Sequence, residues 1–415
     1  MNKTRLLHWV AFVAGLISIS LFTWWTSPFK SYNLIKAPES VKKDSTTFII
    51  PGELRGIIDT YDLWVKAHID SGKAPGAAVA IVKGGNIVHL KGYGLKSTSQ
   101  SDSIDEHTVF RIASVSKGFA SVLAGVLTED SLLHWDDPVS KHLPDFSLRD
   151  TLNSKDLAIK HLLSHTTGLP RHAYTDLIES GSKYQNILTS IQQLPLIGPV
   201  GKYYSYQNVI YSLFSDIAMA ATNMPYDRLM HQYLFKPIGM ADASVCYDSL
   251  IKSQNFAFPH VRTYEGWRPT EISKTYYNVI PAAGVNASIS DMANWLNTMM
   301  GNTPDIVSVS TLDKLFTPII ETPRRRYLRH WPALKKAYYG LGWRVFKYGD
   351  HKIIYHGGYV NDYRAEIGFD IIEQVGIVVL TNAPCPLANQ GISTFFKSYF
   401  EQQAQASQTK KKTRL

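Results

Sequence analysis

Cysteine is nearly absent: the 415 residues hold two, Cys246 and Cys385, too few for a disulfide framework to stand in for a hydrophobic core. Charge is sparse as well. Asp, Glu, Lys and Arg make up 19% of the chain against 45% hydrophobic residues, the reverse of the balance that leaves a chain disordered. The positive excess, +9 overall, gathers at the two ends (Lys3 and Arg5; Lys410, Lys411, Lys412 and Arg414). The interior therefore lacks the basic face that nucleic acid requires, and the internal run Arg324, Arg325, Arg326 and Arg329 reads as a solvated loop. Nucleic acid is excluded as a partner. No repeat or low-complexity tract interrupts the chain before Gln402.

What is present begins with an apolar run. Leu6 to Thr26 holds no charged residue, and about twenty apolar residues in a helix span the hydrocarbon core of a bilayer. Trp24 and Trp25 stand where an interfacial aromatic belt belongs, and Pro28 stops a helix. Without a clear small-x-small cleavage site, the run reads as a transmembrane signal-anchor rather than a cleaved signal peptide. Lys3 and Arg5 favour a cytoplasmic N-terminus over residues 1–5. The remainder is then exported: held at a bacterial inner membrane with its body in the periplasm, or released there if the run is cleaved. In that compartment the two cysteines are free to oxidise or stay apart, which the sequence leaves open.

Residues 27–50, rich in Lys, Ser and Thr, read as a tether, residues 51–400 as the globular body, and residues 401–415 as a polar, basic tail. Within the body, Glu53 to Ile69 carries apolar residues at helical spacing (Ile57, Ile58, Tyr61, Trp64, Val65, Ile69). Gly76–Val82 and Ile87–Gly94, joined through Lys83-Gly84-Gly85-Asn86, form a hairpin signal. A mainly helical stretch follows, an insert over about 118–270. Late in the chain, His351–Gly358, Tyr363–Asp370 and Gln374–Asn382 read as three strands. Strands, helices, then strands predict an α/β (α+β) fold: a central antiparallel sheet built from both ends of the body, flanked by helices, with a mostly helical inserted subdomain.

Three small constellations carry chemistry. Ser114-Val115-Ser116-Lys117 is a Ser-x-x-Lys at the head of the apolar helical run Gly118–Leu127. Positions i and i+3 share a helix face, so the Lys117 amine reaches the Ser114 hydroxyl. A serine attacks only once something takes its proton, and a lysine takes it only if burial or a nearby cation lowers its pKa. The start of a helix also favours developing negative charge. Tyr206-Gln207-Asn208 sets a phenol and an amide two residues apart, able to relay a proton and hold a carbonyl. His356-Gly357-Gly358 ends a strand, where glycine lets a backbone come close and the next N–H donate to an oxyanion. Singly each spelling is common: Ser-x-x-Lys also occurs at Ser27, Ser40, Ser180, Ser249 and Ser407, and Tyr-x-Asn at Tyr184, Tyr276 and Tyr359. His161 and His165, four apart, have a spacing that can hold zinc, but the glutamate of a zinc-peptidase helix is missing between them, and no metal is expected.

In this order the three constellations resemble the motifs of the serine β-lactamase and penicillin-binding-protein superfamily, in particular the class C β-lactamase-like group with its D-alanyl-D-alanine peptidases, D-aminopeptidases and family VIII-type esterases. Asp136–Phe146, Ile159–Pro170, Tyr233–Met240, Ala282–Leu296, Tyr339–Trp343 and Val378–Asn382 extend the likeness over nearly the whole body. The resemblance implies a β-lactamase/transpeptidase-like fold and a cofactor-free serine hydrolase acting on a small-molecule or peptide substrate (β-lactam, D-amino peptide or ester) through an acyl-serine. It makes Ser114 the nucleophile, Lys117 and Tyr206 the proton-handling pair, Asn208, His356, Gly357 and Gly358 substrate-binding residues, and the backbone N–H groups of Ser114 and Tyr359 the oxyanion hole. Gly357 departs from the group's usual Thr or Ser, whose hydroxyl helps hold a substrate carboxylate. A lost hydrogen bond to a charged group weakens binding by ~1.5–3 kcal/mol, which favours substrates without that carboxylate. The alternative on the same scaffold is a penicillin-binding sensor that is acylated but barely turns over. The oligomeric state is not legible.

Overall fold

The computed structural model describes residues 48, 50–323 and 326–413. The apolar run 6–26 and nearly all of the 27–50 tether lie outside the described residues. Among those described, no helix is long and apolar enough to cross a membrane.

The first helix, α1 (Gly52–Asp70), buries Leu54, Ile57, Ile58, Tyr61 and Val65, the stripe its apolar spacing predicts. The hairpin follows as β1 (Gly76–Lys83) and β2 (Asn86–Gly94). Gly84 and Gly85, at φ 57° and 78°, take the two left-handed positions that match a turn to the twist of its strands. Short β3 (Phe110–Arg111) and a single 3-10 turn, Ala113–Val115, lead into α2 (Ser116–Glu129). The stretch beyond is helical until a hairpin of β4 (His260–Thr263) and β5 (Gly266–Pro269). Then β6 (Asn286–Ala287) pairs back onto β3.

The chain returns to the sheet through β7 (Ile320–Glu321), β8 (Leu334–Tyr339), β9 (Arg344–Tyr348), β10 (His351–Val360), β11 (Tyr363–Asp370) and β12 (Val375–Thr381). Eight strands run in the order β2-β1-β12-β11-β10-β9-β8-β7. Every pairing between neighbours is antiparallel. The hairpin from the start of the body therefore closes against the last strand, Val79 opposite Val379.

Strand alternation divides the core. Ala77, Val79 and Ile81 of β1 pack with α1 and the last helix, whereas Ala78, Ala80 and Val82 pack on the other face with the apolar side of α2 and the helical insert. A sheet covered on both faces reads as an unbroken apolar run, which is why GAAVAIV and VGIVVLT show no polar alternation. The last helix, α3 (Pro386–Thr413), continues through the polar residues 401–413 expected as a tail. Residues 401–413 contain no Gly or Pro and are rich in Gln, Ala and Lys, so an established helix simply propagates. Gln402 Nε2 donates to Glu53 O and ties it to the start of α1. Cys246 is exposed and Cys385 buried, both as free thiols.

Candidate active site

The site forms where the 3-10 turn before α2 meets the end of β10. Ala113, just before the candidate nucleophile, is buried and has φ +51°, a left-handed conformation that a non-glycine residue keeps only when its surroundings hold it. Next to it runs Gly358. A Cβ there would lie 2.5 Å from Ile112 O, 2.9 Å from Ala113 Cβ and 2.9 Å from Ser114 N. Only glycine lets β10 come this near the Ser114 amide.

Lys117 lies in the first turn of α2, wholly buried. Its Nζ is 3.2 Å from Ser114 Oγ and donates to Asn208 Oδ1 at 2.8 Å and to Ala282 O at 2.9 Å. It also sits over the Tyr206 ring, 4.6 Å from the centroid, and 5.4 Å from that of Tyr211. Burial holds the amine well below the usual lysine value, and the charge of Arg344 lowers it further. These partners make the neutral amine useful. The Asn208 and Ala282 oxygens can only accept, so they take its two N–H groups and leave the lone pair to the Ser114 hydroxyl.

Tyr206 and Asn208 arrive together, both nearly buried, where an extended stretch turns into the short helix Asn208–Ser212. Gln207 caps that helix through Oε1, which accepts from Val209 N at 3.2 Å. Tyr211 from the same helix donates to Lys117 O at 2.8 Å. Ser121 Oγ, 2.8 Å from that phenol, is then the donor to it, and α2 is fastened to the Tyr206 segment at Lys117 and one turn further on.

His356 projects from β10 towards the same cluster. Its Nδ1 lies 3.0 Å from Gly357 O and its Nε2 3.0 Å from Tyr339 Oη. A carbonyl cannot donate, so the proton is on Nδ1 and Tyr339 donates to Nε2. Burial, then Arg344 and Lys117, push the imidazole well below its ordinary value, while burial keeps the Tyr339 phenol protonated. His356 is accordingly a neutral hydrogen-bonding group.

Gly357 points the other way along the strand. A Cβ on it would stand 2.7 Å from both Glu366 Oε2 and Tyr355 Oη, and Glu366 is itself bonded to Tyr355 and Arg364. The place of a Thr or Ser side chain is already filled. Tyr359, next along, is half exposed, with its phenol donating to Asp362 at 3.2 Å.

The structure thus gathers Ser114, Lys117, Tyr206, Asn208 and His356 around one cluster and packs Gly358 on the turn that carries Ser114. It also contains residues that the motif reading left without a role. Ala282 supplies a carbonyl to Lys117, Tyr339 fixes the His356 tautomer, and Arg344 sets the local field. Arg111, three residues before Ser114, is fully buried; it donates to Ser273 O at 2.9 Å, Thr275 O at 2.8 Å and Asn361 Oδ1 at 3.0 Å and lies over the Tyr277 ring. It joins β3 to the β10–β11 turn. Ala282 and Tyr339 fall in segments that carried the family likeness, which named the segments without saying what their side chains do. His161 and His165 do not form a helical pair: the helix Ile159–Leu163 ends first, and His165 follows in a left-handed turn. Among the described residues no group of three metal-ligating side chains occurs.

Comparison with known proteins gives the family and the fold. The family model described as Beta-lactamase matches residues 62–391. An unguisins hydrolase of Aspergillus campestris is 24% identical over 330 residues, covering 77% of this chain and 60% of the relative. Protein flp of Staphylococcus aureus is 26% identical over 330 residues, covering 77% of this chain and 62% of the relative. The chain thus spans about three fifths of the length of these relatives. Among solved structures, the octameric penicillin-binding protein homologue from Pyrococcus abyssi superposes with a TM-score of 0.71 at 22% identity, over 82% of this chain and 77% of that one, a likeness of fold.

Proposed function

The chain belongs to the beta-lactamase family, and from that premise we propose that it is a serine acyl hydrolase that cleaves an ester or amide through a covalent acyl-serine. The observation that carries the reading is Lys117: a buried amine, lowered in pKa, both N–H groups engaged by acceptor-only oxygens and its lone pair 3.2 Å from Ser114 Oγ.

Lys117 takes the Ser114 proton as Oγ bonds to the substrate carbonyl carbon. The carbonyl oxygen becomes an oxyanion held by the N–H groups of Ser114 and Tyr359, at the head of α2. Tyr206, its ring against the Lys117 ammonium, passes the proton to the departing alkoxide or amine as the bond to the leaving group breaks. Asn208 is positioned for the substrate amide and His356 for hydrogen bonding along β10. Water then attacks the acyl-serine; its proton returns through the same groups, the acid leaves and Ser114 regains its hydrogen.

Gly357 narrows the substrate class. With no hydroxyl there, and the Glu366 carboxylate beside it, the site favours esters and amides that lack a carboxylate next to the scissile bond. The same body is read as exported and membrane-tethered through residues 6–26, which puts the reaction in a bacterial periplasm.

The test is labelling followed by turnover. A fluorophosphonate should leave one adduct, on Ser114, and none on a Ser114→Ala variant. Paired substrates differing only in a carboxylate should then be released continuously, the neutral one faster. Absence of the adduct removes the hydrolase reading. A single stoichiometric burst without turnover replaces it with an acylated sensor.

A further inference from the structure

His165 is wholly buried and has φ +59°, a left-handed conformation uncommon for a residue with a side chain. From it, both of its acceptors face one strip of chain. Its carbonyl accepts from Ser205 N at 2.8 Å and its Nδ1 from Gln207 N at 3.2 Å, the residues on either side of Tyr206. Between these bonds the imidazole packs on the phenol ring, centroids 4.1 Å apart. The Tyr211 and Tyr339 rings lie 5.1 Å and 4.9 Å away. His172 N closes the arrangement by donating to Tyr206 O at 2.9 Å.

The other ring nitrogen has no such work. Burial first, then the nearby Lys117, His356, Arg344 and His172, disfavour the imidazolium. With Nδ1 accepting, the single proton of the neutral ring sits on Nε2, which is buried without a hydrogen-bond partner. A buried donor without an acceptor is costly and uncommon. The half of the ring that is satisfied is the half that grips the Tyr206 segment.

We propose that His165 is a positioning residue for the proton relay: its Nδ1 and carbonyl clamp the backbone on both sides of Tyr206, and that clamp holds the phenol ring over Lys117. The inference rests on the acyl-serine reading and adds to it a residue that touches neither substrate nor nucleophile.

Two variants separate the acceptor from the ring. Asn tolerates a left-handed backbone and carries Oδ1 at the branch position of Nδ1, so His165→Asn keeps the Gln207 bond and loses the ring. His165→Phe keeps an aromatic ring and loses the acceptor. Both are made in the full chain, with fluorophosphonate labelling rate, kcat, KM and Tm measured together. Because proton relay contributes about a hundredfold or more to such steps, His165→Phe should lower kcat and labelling rate by roughly thirtyfold or more with KM nearly unchanged. His165→Asn should stay within about tenfold of the starting protein.

The proposal is overturned if folded His165→Phe labels and turns over at the wild-type rate, or if both variants lose activity equally, in step with Tm, as a purely structural role requires. If His165→Phe does not fold, His165→Asn decides alone: less than about a tenth of wild-type kcat overturns it, and anything higher sustains it. Failure of the wild-type chain to form a Ser114 adduct is a separate result, which removes the hydrolase reading itself.

Discussion

Gly358 and Ser114 touch backbone to backbone. A Cβ on Gly358 would stand 2.9 Å from the Ser114 nitrogen, so β10 and the Ser114 turn are held at a spacing that no other residue permits. Gly358→Ala should push β10 away from Ser114 and lengthen the path from either amide to an oxyanion. Losing one such donor costs about a hundredfold or more in rate, and overpacking of this kind ~1–3 kcal/mol of stability. Steady-state hydrolysis of a p-nitrophenyl ester beside a thermal melt checks both, and a variant within threefold of wild type, on the scale of that loss, counts against this placement of the oxyanion site.

On the proposed acyl-serine mechanism, the pH dependence of acylation follows from Lys117 and Arg344. Burial, with Arg344 as the second cause, holds the lysine below its ordinary value. The base form appears as pH rises through that lowered value, so the rate falls on the acid side. Arg344→Met removes one cause, raises the lysine, and moves the acid limb to higher pH. Rapid-mixing acylation across pH reads the shift, and an unmoved limb in a folded variant rules out this electrostatic role. Stability has a matching sign. Between the lowered native value and the unfolded reference of about 10.4, the unfolded chain binds the extra proton. Lys117 therefore makes the fold less stable as pH falls through that window.

Gly357 and Glu366 make a third prediction. Because Glu366 Oε2 and Tyr355 Oη each lie 2.7 Å from where a Cβ would be, Gly357→Ser should lose ~1–3 kcal/mol by overpacking, not gain a carboxylate-binding hydroxyl. In a Glu366→Ala background the same substitution should cost less, with a coupling of about 1 kcal/mol in a double-mutant cycle of melts. Independent, additive losses would show that the two sites do not compete for space.

Membrane association should reside in the first 47 residues. Ultracentrifugation of lysates should place the full chain with membranes and a chain lacking residues 1–47 in the supernatant, with unchanged turnover of a soluble ester. A full chain that remains in the supernatant contradicts the anchor.

Much of the fold was legible because its signals are local. α1 shows its apolar stripe, the Gly84-Gly85 turn announces its hairpin, and β10 to β12 are long runs of strand-forming residues. β7, β8 and β9 were missed: β7 is two residues long, and the exposed lysines of LKKAYY and RVFKY dilute the apolar signal. The helix past Gln402 has no local signal of its own, because composition suggests a solvated segment without saying whether a preceding helix continues through it.

The site divides along the same line. Sequence order and spacing alone determined that Lys117 follows Ser114 by three residues at the head of a helix, that Tyr206 and Asn208 come as a pair, and that two glycines follow His356 in a late strand, since neighbours within a few residues fix those relations. Only tertiary structure decided that Lys117 is buried and gives its two N–H groups to Asn208 and Ala282. The same holds for Tyr339 setting the His356 proton, Glu366 filling the space beside Gly357, and His165 holding both flanks of Tyr206. These pairs are far apart along the chain, and desolvation and hydrogen bonding depend on distances in space that no local pattern encodes.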